Sequence, residues 1–209
     1  MQAFLIKNKI NKKSKKLNLF LRGELQVGKS TAIKKILGNI KQAYGGFKTF
    51  CSSVIDLRFN VYICSVNEPI YMEKQNCVAC CKIGGKPEQY SYIFDTVGVK
   101  LLKSSNENII VMDELGFLEN NSRLFQKAVM EKIDSSAVVI GAIKKIEIPW
   151  INEIQKRKDT IIIDLTLNNR EKVPYIATEI LNEYLSGGSQ RCGNLSIALC
   201  GYLVLYCHW

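Results

Sequence analysis

The sequence predicts an α/β fold: a largely parallel sheet with helices on both faces and a β-rich insert after the first helix. Three observations lead there. Uninterrupted apolar runs, such as residues 108–112 and 137–143, alternate with segments of helical composition, the pattern of strands buried on both faces. One apolar run leads directly into a glycine-bearing loop followed by a helix. Another ends in two consecutive acids.

The elements follow in order. Leu17-Asn18-Leu19-Phe20-Leu21-Arg22 reads as a short buried strand entering the loop Gly23-Glu24-Leu25-Gln26-Val27-Gly28-Lys29-Ser30. Residues 31–37 have helical composition, with Gly38 placed to end the helix. From 46 to 66 β-forming residues take over, and 47–50 and 61–64 suggest a hairpin or meander with a turn near 58–60. Residues 73–91, rich in Cys, Gly, Lys and Gln, read as a loop or small excursion. Residues 94–103 are expected to be helical, and 108–112 to form a strand ending in Asp113-Glu114. An amphipathic helix follows over 121–133, with Leu124, Phe125, Ala128, Val129 and Ile133 on one stripe. Residues 137–143 and 160–165 read as two more buried strands, separated by a helix starting near Pro149. A helix over 173–185 closes the domain, with Pro174 in its first turn. Tyr62, Tyr90, Tyr92 and Phe94 are expected in the core, and nothing selects one of them to stack on a base.

The chain has 209 residues, 47% hydrophobic and 23% charged, room for one α/β domain plus appendages. The organisation reads as a basic arm over 1–16, a domain over 17–185, and a linker with an apolar tail over 186–209. The net charge is +10, but Lys7, Lys9, Lys12, Lys13, Lys15 and Lys16 supply six of those charges and Arg191 a seventh. The near-neutral body does not announce a nucleic-acid-binding face. The arm could touch nucleic acid or an anionic surface, or simply be solvated. The tail's 195–209 stretch is short for a membrane span, and anchor, packed extension and non-native terminus stay open. With no export signal visible, a cytoplasmic location is expected, with the eight cysteines as reduced thiols.

The loop carries the pattern G-x-x-x-x-G-K-S between a strand and a helix, the context a phosphate-binding loop requires. Gly23 and Gly28 permit backbone angles that a Cβ disfavours, so successive N–H groups from Glu24, Leu25, Gln26, Val27 and Gly28 to Thr31 can turn onto phosphate oxygens. The helix N-terminus adds its dipole and free donors. Lys29 would reach the β- and γ-phosphates of a nucleoside triphosphate such as ATP or GTP, and Ser30 would ligate Mg²⁺. Asp113, at the carboxyl end of its strand, would share that Mg²⁺. Glu114 could orient and deprotonate an attacking water, and the pair favours hydrolysis over transfer to a small acceptor.

These segments resemble the small nucleoside-triphosphatases of thermophilic archaea and bacteria, whose vertebrate relatives are called cancer-related NTPases. The resemblance rests on the P-loop with Thr31, on Gly46-Phe47-Lys48-Thr49, on Asp113-Glu114-Leu115-Gly116-Phe117-Leu118-Glu119, on Phe125, and on Thr166, Asn169 and Arg170. It covers about residues 17–185 and implies a RecA-like sheet and a Mg²⁺-dependent enzyme, slow and tolerant of the base. Within the family-like stretch, Arg170 is the candidate for a γ-phosphate contact, a salt bridge to a helix being the alternative, and Arg123 is a weaker candidate.

Cys77-x-x-Cys80-Cys81 would supply half of a zinc site, which Cys51 and Cys64 could complete if the β-rich insert folds beneath it; free or redox-sensitive thiols are the alternative. Two functional alternatives stand beside hydrolysis. One is a nucleotide or small-molecule kinase, against which the absence of Arg over 66–91 counts. The other is a nucleotide-regulated module that binds nucleic acid or membrane through the arm.

Overall fold

A computed structural model describes residues 16–186. The arm and the tail therefore lie outside the described residues, except for Lys16 and Ser186. Eight strands form one sheet, in spatial order β5-β4-β3-β2-β6-β7-β1-β8. They are β1 (Asn18–Gly23), β2 (Tyr44–Cys51), β3 (Arg58–Ser65), β4 (Cys77–Lys82), β5 (Glu88–Gln89), β6 (Ile109–Leu115), β7 (Val138–Lys144) and β8 (Thr160–Asp164). The pairs β2–β6, β6–β7, β7–β1 and β1–β8 are parallel, whereas β2–β3, β3–β4 and β4–β5 are antiparallel. The β-rich segment after the first helix is thus continuous with the main sheet, since β2 lies directly beside β6.

Helices cover both faces. On one face are α1 (Lys29–Gly38) and α5 (Val173–Leu185). There Ile33, Ile36, Ala177 and Leu181 pack on Leu19, Leu21, Ile109, Val111 and Ile140. On the other face lie three helices. α2 has three joined pieces: Ser91–Ile93, the π-helical turn Phe94–Gly98, and Val99–Ser104. α3 is Arg123–Asp134 and α4 is Pro149–Lys156. Their Phe94, Phe125, Val129, Ile133, Ile151 and Ile154 enclose Phe20, Phe47, Ile110, Met112 and Ile143. Alternate residues of each central strand therefore feed opposite cores, which is why these strands read as unbroken apolar runs. Each such side chain contributes about 1.5–3 kcal/mol on burial. Among the described residues no helix is long and apolar enough to cross a membrane.

Several expectations need correction. Residues 73–91 hold two strands, β4 and β5, which extend the sheet beyond β3. Cysteine and alanine give little β signal of their own, and pairing along β3 is what makes Cys77–Lys82 extended. The first helix does end at Gly38, as expected, with Asn39 as its cap. Leu124 does not share the buried stripe of α3: it is exposed, while Phe125, Ala128, Val129 and Ile133 are buried. Tyr92 is also exposed, whereas Tyr62 and Phe94 are in the core and Tyr90 packs at its margin.

Candidate active site

The parallel strands bring their carboxyl ends to one edge, where ligands of open α/β sheets bind. At the end of β1 the backbone passes so close to the chain after β8 that a Cβ on Gly23 would stand 2.6 Å from the Leu165 carbonyl oxygen. The loop then turns into α1 through Gly28, at φ 105°, in the left-handed region. No side chain caps α1, so its first N–H groups keep their donors for a ligand. The Glu24 carboxylate lies 3.9 Å from the Lys145 ammonium. Leu25 and Gln26 are exposed, Val27 is buried beneath the loop, and Thr31 is exposed on the first turn of α1.

Lys29 is buried at 5% exposure. Its ammonium donates to the carbonyls of Gly23 (2.9 Å) and Glu24 (2.7 Å) and pairs with Glu114 Oε1 at 2.9 Å. Beside it, the Ser30 hydroxyl donates to Asp113 Oδ1 at 3.0 Å. Burial pushes the Asp113 carboxyl up to about 6, with the nearby Glu114 charge adding to the rise; the Ser30 hydrogen bond, Lys34 and Lys29 oppose it. The Asp113–Glu114 peptide is cis, at the point where the β6–β7 register shifts.

Two contributors were not singled out from the sequence. Thr49 of β2 donates through its hydroxyl to the Asp113 carbonyl (3.3 Å) and accepts the Glu114 N–H (3.2 Å), so it supports the acidic pair from the neighbouring strand. Glu119 is buried and accepts the Gly116 N–H at 2.8 Å. Burial pushes its carboxyl up to about 7 against the pull of these backbone hydrogen bonds and of Lys144. Both belong to the runs that carried the family resemblance. Their burial and partners, which define what they do, come only from strand pairing.

Lys29, Ser30, Asp113 and Glu114 are therefore brought together, while Arg170 is not part of that group. It is half-exposed with its Nε 3.8 Å from Glu171, and Glu171 in turn pairs with Lys35 of α1 at 2.6 Å. Arg123 is exposed at the start of α3. The zinc reading is also corrected. Among the described residues no group of three or more His, Cys, Asp or Glu side chains could hold a metal ion. In the sheet register Cys51 is opposite Val61, Cys64 opposite Lys48, Cys77 opposite Tyr62, Cys80 opposite Asn60 and Cys81 opposite Phe59. No two of these cysteines are cross-strand partners, and all five are free thiols.

Comparison with known proteins gives the family and the fold. A family model described as NTPase matches residues 18–180. The nucleoside-triphosphatase THEP1 of Thermotoga maritima is 30% identical over 175 residues, which cover 81% of this chain and 94% of that protein. The nucleoside-triphosphatase THEP1 of Methanocaldococcus jannaschii is 30% identical over 181 residues, covering 82% and 99%. Among solved structures, THEP1 from the hyperthermophile Aquifex aeolicus matches with a TM-score of 0.60 at 21% identity, over 79% of this chain and 99% of that one, a likeness of fold. A family match that spans nearly all of the described chain, together with relatives 30% identical over four fifths of it, leads to one assignment: this protein belongs to the NTPase family and is a nucleoside-triphosphatase.

Proposed function

We propose that the chain hydrolyses nucleoside triphosphates to the diphosphate and phosphate with Mg²⁺, slowly and with little regard for the base, using Lys29, Ser30, Asp113 and Glu114. The observation that carries this is the Ser30–Asp113 hydrogen bond beside the Lys29–Glu114 ion pair, which unites groups more than eighty residues apart. A hydroxyl next to a carboxylate, both on rigid elements, is the hard-oxygen donor set that Mg²⁺ takes with water and substrate phosphate completing the shell. Ser30 and Asp113 would hold the ion, which when bound neutralises charge on the β- and γ-phosphates.

The remaining work falls to side chains. Lys29 exchanges the Glu114 carboxylate for phosphate oxygens when the triphosphate enters the loop. That exchange frees Glu114 to take a proton from the attacking water. Asp113 and Glu114 mark the γ end of the substrate on the β6 side of β1, so the nucleoside extends the other way, toward the chain following β8. There the Asn169 side chain is engaged within its own loop, accepting the Thr166 N–H at 2.7 Å and donating to the Asp164 carbonyl at 2.8 Å. Arg170 belongs to the same loop, and we assign it to the nucleoside end of the substrate rather than to the γ-phosphate. Hydrolysis without an arginine at the γ-phosphate is slow, since such a residue contributes about 10³–10⁵ in kcat. The five free thiols support a reducing, cytosolic setting.

The test is Mg²⁺-dependent phosphate release from ATP, GTP, CTP and UTP, comparing wild type with Glu114→Gln. Release from several nucleotides that collapses in Glu114→Gln, with nucleotide binding retained, is the expected result. Release undiminished in Glu114→Gln would refute the water-activating role, and strict dependence on one base would refute the tolerance.

A further inference from the structure

Hydrolysis builds negative charge on the oxygens of the γ-phosphoryl group, and the chain must supply a cation there beyond Lys29 or remain without one. The arginines among the described residues are placed elsewhere. Arg22 is held by Asp164 and Gln155, Arg157 by Asp134 and Asp159, and Arg170 stands beside Glu171. Arg58 begins β3, four strands from β1, and Arg123 is exposed at the start of α3. Lys48 is level with Asp113 in the sheet but donates to the carbonyls of Val66 and Glu68.

Lys144 is placed differently. β7 lies between β1, which carries the phosphate-binding loop, and β6, which carries the acidic pair. Lys144 is the last residue of β7 and the register partner of Gly23. Adjacent strands are about 4.8 Å apart, so its backbone leaves the sheet between the ends of β1 and β6. The side chain crosses the turn after the acidic pair, where a Cβ on Gly116 would stand 2.9 Å from Lys144 Cδ. Its ammonium rests over the Phe117 ring, 4.7 Å from the centroid. Among the described residues no carboxylate lies within 4.0 Å of it, although its charge is felt at the buried Glu119 and at Cys51 and Cys81. Phe117 keeps 39% of its surface exposed at the sheet edge. An aromatic face holds a cation weakly and with little directionality, so the ammonium is stored beside the site without being neutralised by an acid.

We propose that Lys144 is a catalytic cation of this chain: its ammonium moves from the Phe117 ring to the γ-phosphate and stabilises the charge that develops there. The proposal rests on the reading that places the γ-phosphate beside Glu114. In the step itself the water oxygen bonds to γ-phosphorus, the bond from phosphorus to the β–γ bridging oxygen breaks with its electron pair going to the departing diphosphate, and Glu114 takes the water proton. Lys144 exchanges no proton and forms no covalent bond. Its contribution is electrostatic and largest in the transition state, so it lowers the barrier more than it tightens substrate binding.

The experiment measures steady-state phosphate release and nucleotide affinity for wild type, Lys144→Met, Lys144→Gln, Lys144→Arg and Glu114→Gln, each first checked for folding by thermal unfolding. Trapping of NDP with aluminium fluoride reports transition-state binding. Lys144→Met and Lys144→Gln are expected to lower kcat by about 10²-fold with KM nearly unchanged, and to lose the aluminium fluoride complex. Lys144→Arg is expected to keep most of kcat and to trap it. Two neutral variants guard against one that fails to fold. A kcat within about threefold of wild type in either neutral variant, or a Lys144→Arg as impaired as the neutral variants, would overturn the proposal. If Glu114→Gln is inactive while Lys144→Met is undiminished, only the lysine's role fails; an active Glu114→Gln overturns the site reading and the lysine's role together.

Discussion

Strands β2, β6, β7, β1 and β8 run parallel and carry the proposed site, whereas β3, β4 and β5 run antiparallel and carry four of the five described cysteines without bringing three of them together. The difference follows from direction. Parallel strands deliver all their carboxyl ends to one edge, so Lys29 and Ser30 meet Glu114 and Asp113, far from them in sequence. In the antiparallel half, β2 and β3 run on past the level of Asp113, and successive strands alternate their ends. Residues of one chemical type are then spread at different heights along a ladder. β2 belongs to both regimes, and its Thr49 is where the antiparallel half reaches the acidic pair.

The comparison can be broken first at the joint between the halves. Phe125 of α3 packs edge-on against Phe47 of β2 at 5.3 Å and, tilted at 44°, against Phe94 of α2 at 5.0 Å. Phe125→Ala should lower stability by about 3–5 kcal/mol, read from denaturant unfolding. A loss below about 1 kcal/mol, typical of an ordinary substitution, would mean the two halves do not share this core. Next comes the parallel edge itself. Lys29→Ala should reduce kcat/KM by about 10²–10³-fold in a phosphate-release assay while the protein stays folded. Activity near wild type would mean that the loop does not bind the transferring phosphates.

A finer probe is pH. The Asp113 carboxyl is raised to about 6 by burial, and its protonated form, which dominates below that value, is a poor ligand for Mg²⁺. Hydrolysis should therefore fall as pH drops through about 6. Raising Mg²⁺ should move that limb to lower pH, because the ion competes with the proton. A limb indifferent to Mg²⁺ would detach it from Asp113. The smallest effect is expected on the antiparallel side, where Cys51 is an exposed thiol. Cys51→Ser should change stability by less than about 0.5 kcal/mol and leave hydrolysis unaltered, and Zn²⁺ should not raise the Tm of wild type. A zinc-dependent rise in Tm would contradict the dispersed cysteines.

The same contrast governs how much was readable in advance. Helix α4 begins at Pro149 and α5 spans Val173–Leu185, both as read from the sequence, because proline starts and apolar periodicity are local signals. The central parallel strands β1, β6 and β7 were legible because burial on both faces leaves a nearly unbroken apolar run. β4 was not: Cys77-Val78-Ala79-Cys80-Cys81 has weak intrinsic preference, and only its pairing with β3 decides its state. Leu124 and Tyr92 fit a helical stripe and an aromatic cluster, yet both end up exposed, since periodicity shows which residues share a face and says nothing about whether a neighbour covers its margin.

By itself, then, the sequence determined the α/β class and marked the glycine-bearing loop and the acidic pair as the candidate site, because each is written in residues that are contiguous or nearly so. Local backbone needs and strand burial act over a few positions. Only the tertiary structure decided that Lys29 rests on Glu114, that Thr49 braces the acidic pair, that Arg170 stands with Glu171, and that Lys144 leaves the sheet between the two motifs. Those relations depend on strand order and register, which are set by how two cores close on opposite faces of one sheet, and no local run of residues encodes them.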